Sequence, residues 1–413
     1  MNETASTISW RLPVGLLLIL AFQTANVGLI VIFATHLLAL TDFIHRAANI
    51  LPDEVLGIRF LFVLSPAAFL LPPIIGKYSD KNGHERTVFL FLLLSLFSNM
   101  LVAIGILYVQ PILVLLGILL FTLSFSNILL INAIIVKHYD HHKKTLFFTA
   151  VFAMIAIMVP LAEVFSYFLN KHLSQSLHVV APAIFNCIFS LLSIGVFLVV
   201  ANTKIKIPEL NLPNISENEA VLRRIHIFRL KKWFAYFGVI TFIWGLFYQG
   251  EYLLFWGNMH TFYNALAEFV MYGSIIILLV SVFFCLFFLK KITLKKLIYL
   301  GTLLFCVGFL GHALFLDYSI KKIFIVFINM GICFTVPGLW VLLTEETEWN
   351  DQGFLMGILS SIWVLSWLLS GLTVRFARNI STHLPTDIGI MFVVIFLVLL
   401  LGKTIRNPQV MRQ

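Results

Sequence analysis

Long apolar stretches separated by short polar breaks run along almost the whole chain. Most contain about 20 residues dominated by Leu, Ile, Val and Phe, the length that an α-helix needs to cross a hydrocarbon core of ~30 Å. The pattern predicts twelve membrane-spanning helices, six on each side of a polar segment. They are Leu12–Ala39, Val55–Ile75, Thr87–Tyr108, Ile112–Val136, Leu146–Leu169, Val179–Ala201, Trp233–Phe255, Leu266–Leu289, Leu297–Leu316, Ile323–Leu343, Gly353–Phe376 and Ile388–Leu401.

The composition supports a membrane protein over a soluble one. Of the 413 residues, 60% are hydrophobic and only 11% are charged. A soluble domain is nearer half apolar and a quarter charged. Soluble enzymes, disordered proteins and nucleic-acid binders are therefore excluded, although the net charge is +9. The predicted fold class is an all-α membrane protein with twelve transmembrane helices.

Basic residues are unevenly distributed between the predicted loops. The two termini and the loops after even-numbered spans carry 21 of the 28 Lys and Arg residues, and the loops after odd-numbered spans carry 6. Because cytoplasmic loops carry the excess of basic residues, we expect a multi-pass protein with both termini in the cytoplasm. Short loops and the lack of an organelle signal favour a bacterial inner membrane.

The two sets of spans resemble each other in pattern. A short polar loop followed by an apolar helix joins spans 4 and 5, and the same pattern joins spans 10 and 11. Parallel halves of this kind imply a pseudo-two-fold axis along the membrane normal, with the solute site between the halves. We expect two pseudo-symmetric six-helix bundles, 1–201 and 233–413, joined by a cytoplasmic linker, 202–232.

The polar segment after span 2 carries a recognisable motif. It resembles the cytoplasmic loop signature of the major facilitator superfamily: a Gly, three residues, an Asp, a basic residue, any residue and a second Gly, followed by basic residues. His84 and Glu85 stand where that signature is basic. The motif residues here are Gly76, Asp80, Lys81 and Gly83, with Arg86 one position late.

This resemblance implies a secondary active transporter whose two bundles rock around a central cavity, with the loop bracing one of two alternating states. It implies a small organic solute as partner, protons as the coupling ion, a lipid bilayer, no cofactor and a monomer. Efflux of amphipathic drugs or siderophore-like compounds is the closest alternative. The Arg in span 4 and the glycines in span 5 that drug:proton antiporters carry are missing, which disfavours a standard multidrug antiporter.

Aromatic and amide side chains inside the spans are candidates for lining the cavity. Aromatic rings can stack on an organic solute, and amides can hydrogen-bond it. The amides can equally join one helix to another, and the sequence leaves both roles open. The candidates are Gln23, Asn26, Asn127, Trp244, Tyr248, Trp363 and Trp367.

Three charged residues in the spans are candidates for proton coupling. Glu163 lies past the predicted midplane of span 5, where desolvation favours the protonated carboxyl group. Glu251 lies nearer the outer end of span 7, and Arg59 lies about one turn inside span 2. A structural ion pair or hydrogen bond is the alternative role for each.

A histidine cluster supports one hypothesis of a different class. His138, His141 and His142 spell H-x-x-H-H, like one box of the membrane di-iron desaturases. Those enzymes need several boxes to supply enough imidazole ligands, and the other histidines are scattered singly. We therefore expect a titratable cytoplasmic loop and not a metal enzyme.

Overall fold

The computed structural model of the chain describes ten ranges of residues and seven single positions. The ranges are 11–39, 58–124, 126–139, 144–152, 175–202, 230–255, 293–315, 318–345, 351–380 and 387–394. The single positions are 154, 158, 161, 162, 165, 169 and 347. Within these residues the regular structure is entirely α-helical.

Ten helices follow one another along the described chain. They are α1 (Arg11–Ala39), α2 (Ile58–Asn82), α3 (His84–Leu107), α4 (Pro111–Ser124), α5 (Asn127–His138), α6 (Gln175–Asn202), α7 (Lys231–Phe255), α8 (Leu294–Leu314), α9 (Tyr318–Glu345) and α10 (Gln352–Ile380). Residues 144–152 and 387–394 are also helical. Span 8 and residues 203–229 of the predicted linker lie outside the described residues.

Six stretches of helix are long and apolar enough to cross a membrane: His84–Leu107, Ile112–Val136, Val180–Ala201, Leu294–Leu314, Ile323–Glu345 and Gln352–Val374. Their burial pattern is the reverse of that in a soluble protein. In α3, Ser95, Ser98 and Asn99 are buried. The exposed residues form an apolar stripe at alternating spacings of three and four: Leu90, Leu93, Phe97, Met100, Ile104 and Leu107. This exposed apolar face of α3 is suited to contact with the hydrocarbon core of a bilayer.

Two predicted boundaries differ from the structure. We predicted that a loop begins at Gly76, but α2 continues to Asn82 and the chain turns only at Gly83, whose φ is +92°. In this added stretch Ser79 Oγ donates to the Gly76 carbonyl (2.8 Å) and Asn82 Nδ2 donates to the Tyr78 carbonyl (3.0 Å). A positive φ suits glycine because it lacks a Cβ atom.

The second difference is an interruption in span 4, which we predicted as one helix. Here α4 ends at Ser124 and α5 begins at Asn127. The Ser124 hydroxyl bonds the Phe121 carbonyl at 2.7 Å, and the Ser126 N–H reaches back only three residues, to Leu123. Serine and asparagine side chains compete with the helical backbone for hydrogen bonds, so Ser-Phe-Ser-Asn is a weak point in the helix.

The described chain forms two compact units. Unit 1 comprises Met1–Ala67, Ile75–His138 and Met154–Ile225, and unit 2 comprises Ala68–Ile74, Tyr139–Ala153 and His226–Gln413. In unit 1, α6 packs against α1 and α3, and α3 also packs against α4 and α5. In unit 2, α8 packs against α9, and α7 packs against α10. The six-span bundle boundaries stay a prediction.

Glycines set the distance between α8 and α9 in unit 2. A Cβ atom added to Gly331 would lie 2.6 Å from the Gly301 carbonyl oxygen and 2.7 Å from the Phe305 Cα atom. One added to Gly308 would lie 2.6 Å from the Ile328 backbone nitrogen. Because backbone cannot move aside cheaply, only glycine permits this approach. Small residues at helix interfaces are typical of membrane proteins.

Candidate solute-binding site

Seven aromatic rings form one cluster in unit 2, which we call the aromatic cluster. They come from α7, α9, α10 and the helical stretch 144–152. The members are Phe148, Phe152, Phe237, Trp244, Trp340, Trp363 and Trp367. None of these side chains carries a formal charge, so the cluster offers ring faces, ring edges and indole N–H groups.

Trp363 on α10 lies at the centre of the aromatic cluster. Its ring centroid is 5.4 Å from that of Trp244 and 5.6 Å from that of Phe152, both edge to face. Phe237 and Trp340 lie at 6.1 and 6.4 Å. These distances are those of favourable aromatic pairs. Trp363 is only half-buried, so part of its ring remains open to a ligand.

The other rings extend the cluster on both sides of Trp363. Trp367 meets Trp244 edge to face at 5.4 Å, and Phe148 meets Trp340 edge to face at 5.5 Å. The Nε1–H group of Trp340 is buried and has no hydrogen-bond partner among the described residues. A buried indole N–H usually finds an acceptor, which makes this donor a candidate for a bond to a ligand.

Helix spacing explains why these rings meet. Phe237 and Trp244 are seven residues apart on α7, and Trp363 and Trp367 are four apart on α10, so each pair occupies one helix face. Ser366 Oγ donates a 3.1 Å hydrogen bond to the Gly238 carbonyl and draws α10 against α7. The serines that accompany the tryptophans in the sequence therefore pack the two helices together.

The structure brings together three of the predicted cavity residues, Trp244, Trp363 and Trp367. The Tyr248 position lies on α7, but its side chain is outside the described part of the structure. Sequence reasoning missed Phe148, Phe152, Phe237 and Trp340. The signal for Trp340 was available, because a lone tryptophan within an apolar span must bury a polar N–H group.

Gln23 and Asn26 lie in a hydrogen-bond network of unit 1, which we call the polar network. Its residues join α1, α3 and α6. Gln23 Nε2 donates to Ser193 Oγ (3.1 Å), and Ser95 Oγ donates to Gln23 Oε1 (3.1 Å). Asn26 Nδ2 donates to Ser190 Oγ (3.1 Å). Of the two roles left open by the sequence, these contacts favour helix-to-helix bonding.

Ser190 is the shared acceptor of the polar network. Asn99 Nδ2 donates to its hydroxyl at 2.9 Å, beside the bond from Asn26, and Ser95 Oγ lies 3.3 Å away. All four side chains are buried. Hydrogen bonds of this kind hold membrane helices together because apolar side chains gain nothing by leaving lipid.

Asn127 differs from these amides. It is fully buried at the start of α5, and neither Oδ1 nor Nδ2 has a hydrogen-bond partner within the described residues. The sequence placed it among the cavity residues, and that role stays a prediction.

The family motif forms the turn between α2 and α3. His84 is buried between two residues of α2, with Nδ1 3.0 Å from Ser79 Oγ and Nε2 3.6 Å from Asp80 Oδ1. Thr87 Oγ1 donates to the Gly83 carbonyl at 2.8 Å. His84 thus takes up the position of a basic motif residue and contacts Asp80, whereas the side chains of Lys81 and Arg86 are exposed.

The proton-coupling candidates are less fully described. Glu163 lies outside the described residues, and only the backbone positions of Arg59 on α2 and Glu251 on α7 are described. Their roles stay predictions.

The histidine cluster is described only at its first residue. His138 Nδ1 lies 2.8 Å from the Ile134 carbonyl oxygen, while His141 and His142 lie outside the described residues. Burial raises the pKa of the adjacent Tyr139 to about 12, so its phenol is neutral at physiological pH. Among the described residues, no three His, Cys, Asp or Glu side chains form a metal-binding group.

Solved structures of transporters resemble this chain in fold. The human organic anion transporter MFSD10 (TETRAN) matches with a TM-score of 0.68 and 14% identity, over 93% of this chain and 97% of that one. The fucose:proton symporter FucP of E. coli matches with a TM-score of 0.65 and 14% identity, over 94% and 96%. A bacterial homologue of the iron transporter ferroportin matches with a TM-score of 0.67 and 13% identity, over 93% and 96%.

No curated protein sequence matches this chain significantly. The sequence profile described as Major Facilitator Superfamily matches residues 15–371, which is most of the chain. The predicted resemblance and the twelve-helix fold class are confirmed, and the chain belongs to the major facilitator superfamily of membrane transporters.

Proposed function

We propose that this transporter moves a small organic solute across the membrane by alternating access and couples the movement to protons. The aromatic cluster carries the proposal. Four tryptophans and three phenylalanines gather in one unit, and the central ring of Trp363 is partly open. Aromatic side chains stack on the flat or apolar face of an organic molecule, and indole N–H groups bond its polar atoms.

Two fold neighbours provide precedents for this proposal. One is named an organic anion transporter and the other a fucose:proton symporter. At 14% identity they share the fold, and their solutes are their own. The aromatic cluster also suits amphipathic compounds, so efflux is the second candidate.

Tryptophan fluorescence tests solute binding directly. Four of the eight tryptophans belong to the aromatic cluster. We expect a bound solute to quench purified protein in a saturable manner, and Trp363→Phe to reduce that quench while Trp233→Phe, outside the cluster, preserves it. A screen should include monosaccharides, nucleosides, aromatic acids and amphipathic amines. Saturable quenching that survives in Trp363→Phe would place the solute elsewhere.

Proteoliposomes with an imposed pH gradient test the coupling and the direction. The solute found by fluorescence should accumulate only when a gradient is present, and the orientation of the gradient that drives accumulation distinguishes uptake from efflux. Accumulation that is indifferent to pH would contradict proton coupling.

We propose Glu163 as the proton-carrying residue, because an unneeded carboxylate inside hydrocarbon would be costly. Glu251 is the competitor, and Arg59 serves as a gate or a partner. Glu163→Gln should abolish gradient-driven accumulation and leave exchange at equal solute concentrations intact. If Glu163→Gln accumulates solute normally, Glu251→Gln becomes the decisive variant.

We propose that the turn between α2 and α3 braces one alternating state through Asp80. The contact between Asp80 and His84 supports a defined role for this carboxylate. Asp80→Asn should slow transport severalfold without changing solute affinity in the fluorescence assay. Lys81→Gln, at an exposed position of the same motif, provides the comparison. A normal transport rate in folded Asp80→Asn would contradict the brace.

A further inference from the structure

The interruption of span 4 places a helix start and a buried amide at the same point. The first turn of α5 leaves backbone N–H groups without acceptors inside that helix. Asn127, the first residue of α5, is fully buried, and its Nδ2 and Oδ1 atoms both lack partners among the described residues. The site therefore offers the Nδ2–H donors and the Oδ1 acceptor of the Asn127 amide.

The buried Asn127 amide, which has no hydrogen-bond partner among the described residues, needs an explanation. Burying an amide without hydrogen bonds is unfavourable, because the amide loses its bonds to water and gains none in return. Asn99 is just as buried in the same unit, and its Nδ2 is bonded to Ser190 Oγ at 2.9 Å, although its Oδ1 has no partner among the described residues. Asn127 differs because neither of its two amide atoms is bonded within the described part of the structure. A ligand that bonds both atoms would account for this difference.

The helices around Asn127 indicate whether its ligand is charged or neutral. α5 packs against α1 and α3. From residue 12 to 39 and from 87 to 136, the sequence contains no Asp, Glu, Lys or Arg. An ion bound among these three helices would lose its hydration and find no counter-ion along these stretches of them, which is far costlier than moving a neutral group. A hydroxyl or carboxamide matches the site, because each can both donate and accept a hydrogen bond.

We propose that the start of α5, with Asn127 as its specific side chain, binds an uncharged hydroxyl or carboxamide group of the transported solute. This inference rests on the proposed function and narrows the solute class to neutral polar molecules. Asn127 accepts a hydrogen bond at Oδ1 and donates one from Nδ2 to the same group or to adjacent groups of the solute.

The test compares Asn127→Leu with Asn99→Leu in full-length purified protein. Leucine has nearly the shape of asparagine but no polar atoms. Without solute, we expect Asn127→Leu to raise the Tm by about 1–4 °C, because a desolvated, unpaired amide is removed. Asn99→Leu should lower the Tm by about 4 °C or more, because it removes a bond to Ser190.

The second measurement is the thermal shift produced by defined probes: myo-inositol, L-fucose, uridine and nicotinamide as neutral solutes, with lactate, benzoate and choline as charged ones. Wild type should be stabilised by at least one neutral probe and by none of the charged ones. Asn127→Leu should lose that shift. Asn127→Ala, which cannot overfill the site, should lose it too, whereas Trp233→Phe should keep it.

Several results would overturn the inference. A Tm fall in Asn127→Leu that matches Asn99→Leu would make Asn127 a structural amide. A probe shift that persists in both Asn127 variants would place the polar group of the solute elsewhere. Stabilisation of wild type by charged probes alone would reject the neutral class, yet leave transport of an organic solute standing. Failure of every probe in thermal shift, fluorescence and proteoliposome flux would count against both proposals.

Discussion

Unit 1 and unit 2 bury different chemistry in helices of similar apolar composition. Unit 1 places amides and hydroxyls between α1, α3 and α6, where Gln23, Asn26 and Asn99 bond the serines of α3 and α6. Unit 2 places glycines between α8 and α9, and aromatic rings between α7, α10 and their neighbours. One unit is joined by hydrogen bonds, and the other by close packing and ring contacts.

The difference shows how the polarity of a buried side chain relates to its role in a membrane protein. Gln23, Asn26 and Asn99 each bond a serine of another helix in unit 1, although the Oδ1 atoms of Asn26 and Asn99 have no partner among the described residues. The apolar faces of a tryptophan ring need no hydrogen-bond partner when they are buried, so one face can contact a solute. The polar residues of unit 1 are therefore mainly structural, Asn127 excepted, and the aromatic residues of unit 2 are the stronger candidates for binding.

The largest effect should come from the glycine contact of unit 2. Gly331→Val would drive a side chain into the backbone of α8 at Gly301 and Phe305, at a cost of more than about 3 kcal/mol. We expect the yield of monodisperse protein to fall more than about tenfold in size-exclusion chromatography. Gly195→Ala, where no atom of the described residues lies within 4 Å of an added Cβ atom, should purify normally. A well-folded Gly331→Val would mean that α8 and α9 do not depend on this contact.

Next in size should be the loss of the central ring. Trp363→Ala removes the ring that contacts Trp244, Phe152, Phe237 and Trp340. Solute affinity should fall by about tenfold, in line with the upper end of the ~0.5–1.5 kcal/mol that an aromatic pair contributes beyond its buried area. Equilibrium titration by fluorescence measures the change, with Trp233→Ala as the control. Unchanged affinity would make the aromatic cluster a packing core.

A smaller effect is expected in the polar network. Ser190→Ala leaves the Nδ2 groups of Asn26 and Asn99 without their shared acceptor, which should reduce the free energy of unfolding by about 2 kcal/mol. Thermal unfolding in detergent should show a lower Tm, while solute affinity stays within about twofold of wild type. Thr373→Ala, whose hydroxyl donates to the carbonyl of Leu369 in its own helix (2.8 Å), is the control. A tenfold loss of affinity in Ser190→Ala would make the polar network part of the binding site.

The smallest effect should come from Trp340→Phe. This substitution keeps an aromatic ring beside Phe148 and removes the unpartnered Nε1–H group. Affinity should fall by about threefold or less if the indole contributes one hydrogen bond to the solute, and the same titration measures it. A loss as large as that of Trp363→Ala would make the hydrogen bond, and not stacking, the main contribution of unit 2.

Much of this protein was predictable from the order of apolar and polar residues. The requirement of roughly 20 apolar residues per span is a property of the bilayer, so lengths and approximate ends of the helices could be derived one helix at a time. Gly76, Asp80, Lys81 and Gly83 indicated the family because their spacing is local. The pair Trp363 and Trp367 lies on one helix face for the same reason, since helical periodicity depends on neighbouring residues alone.

Only the tertiary structure decided which side chains meet. Asn99 and Asn127 cannot be told apart from the sequence, because each is an asparagine inside an apolar span. In the structure Asn99 bonds Ser190 on another helix, whereas the side chain of Asn127 has no partner among the described residues. Phe148 and Trp340 join the aromatic cluster through contacts between helices nearly 200 residues apart in sequence. Sequence alone determined that this chain spans a membrane and belongs to a transporter family. Packing between distant helices decided which buried groups are satisfied and which remain open to a solute, because partners are chosen by contact across helices and not by position along one.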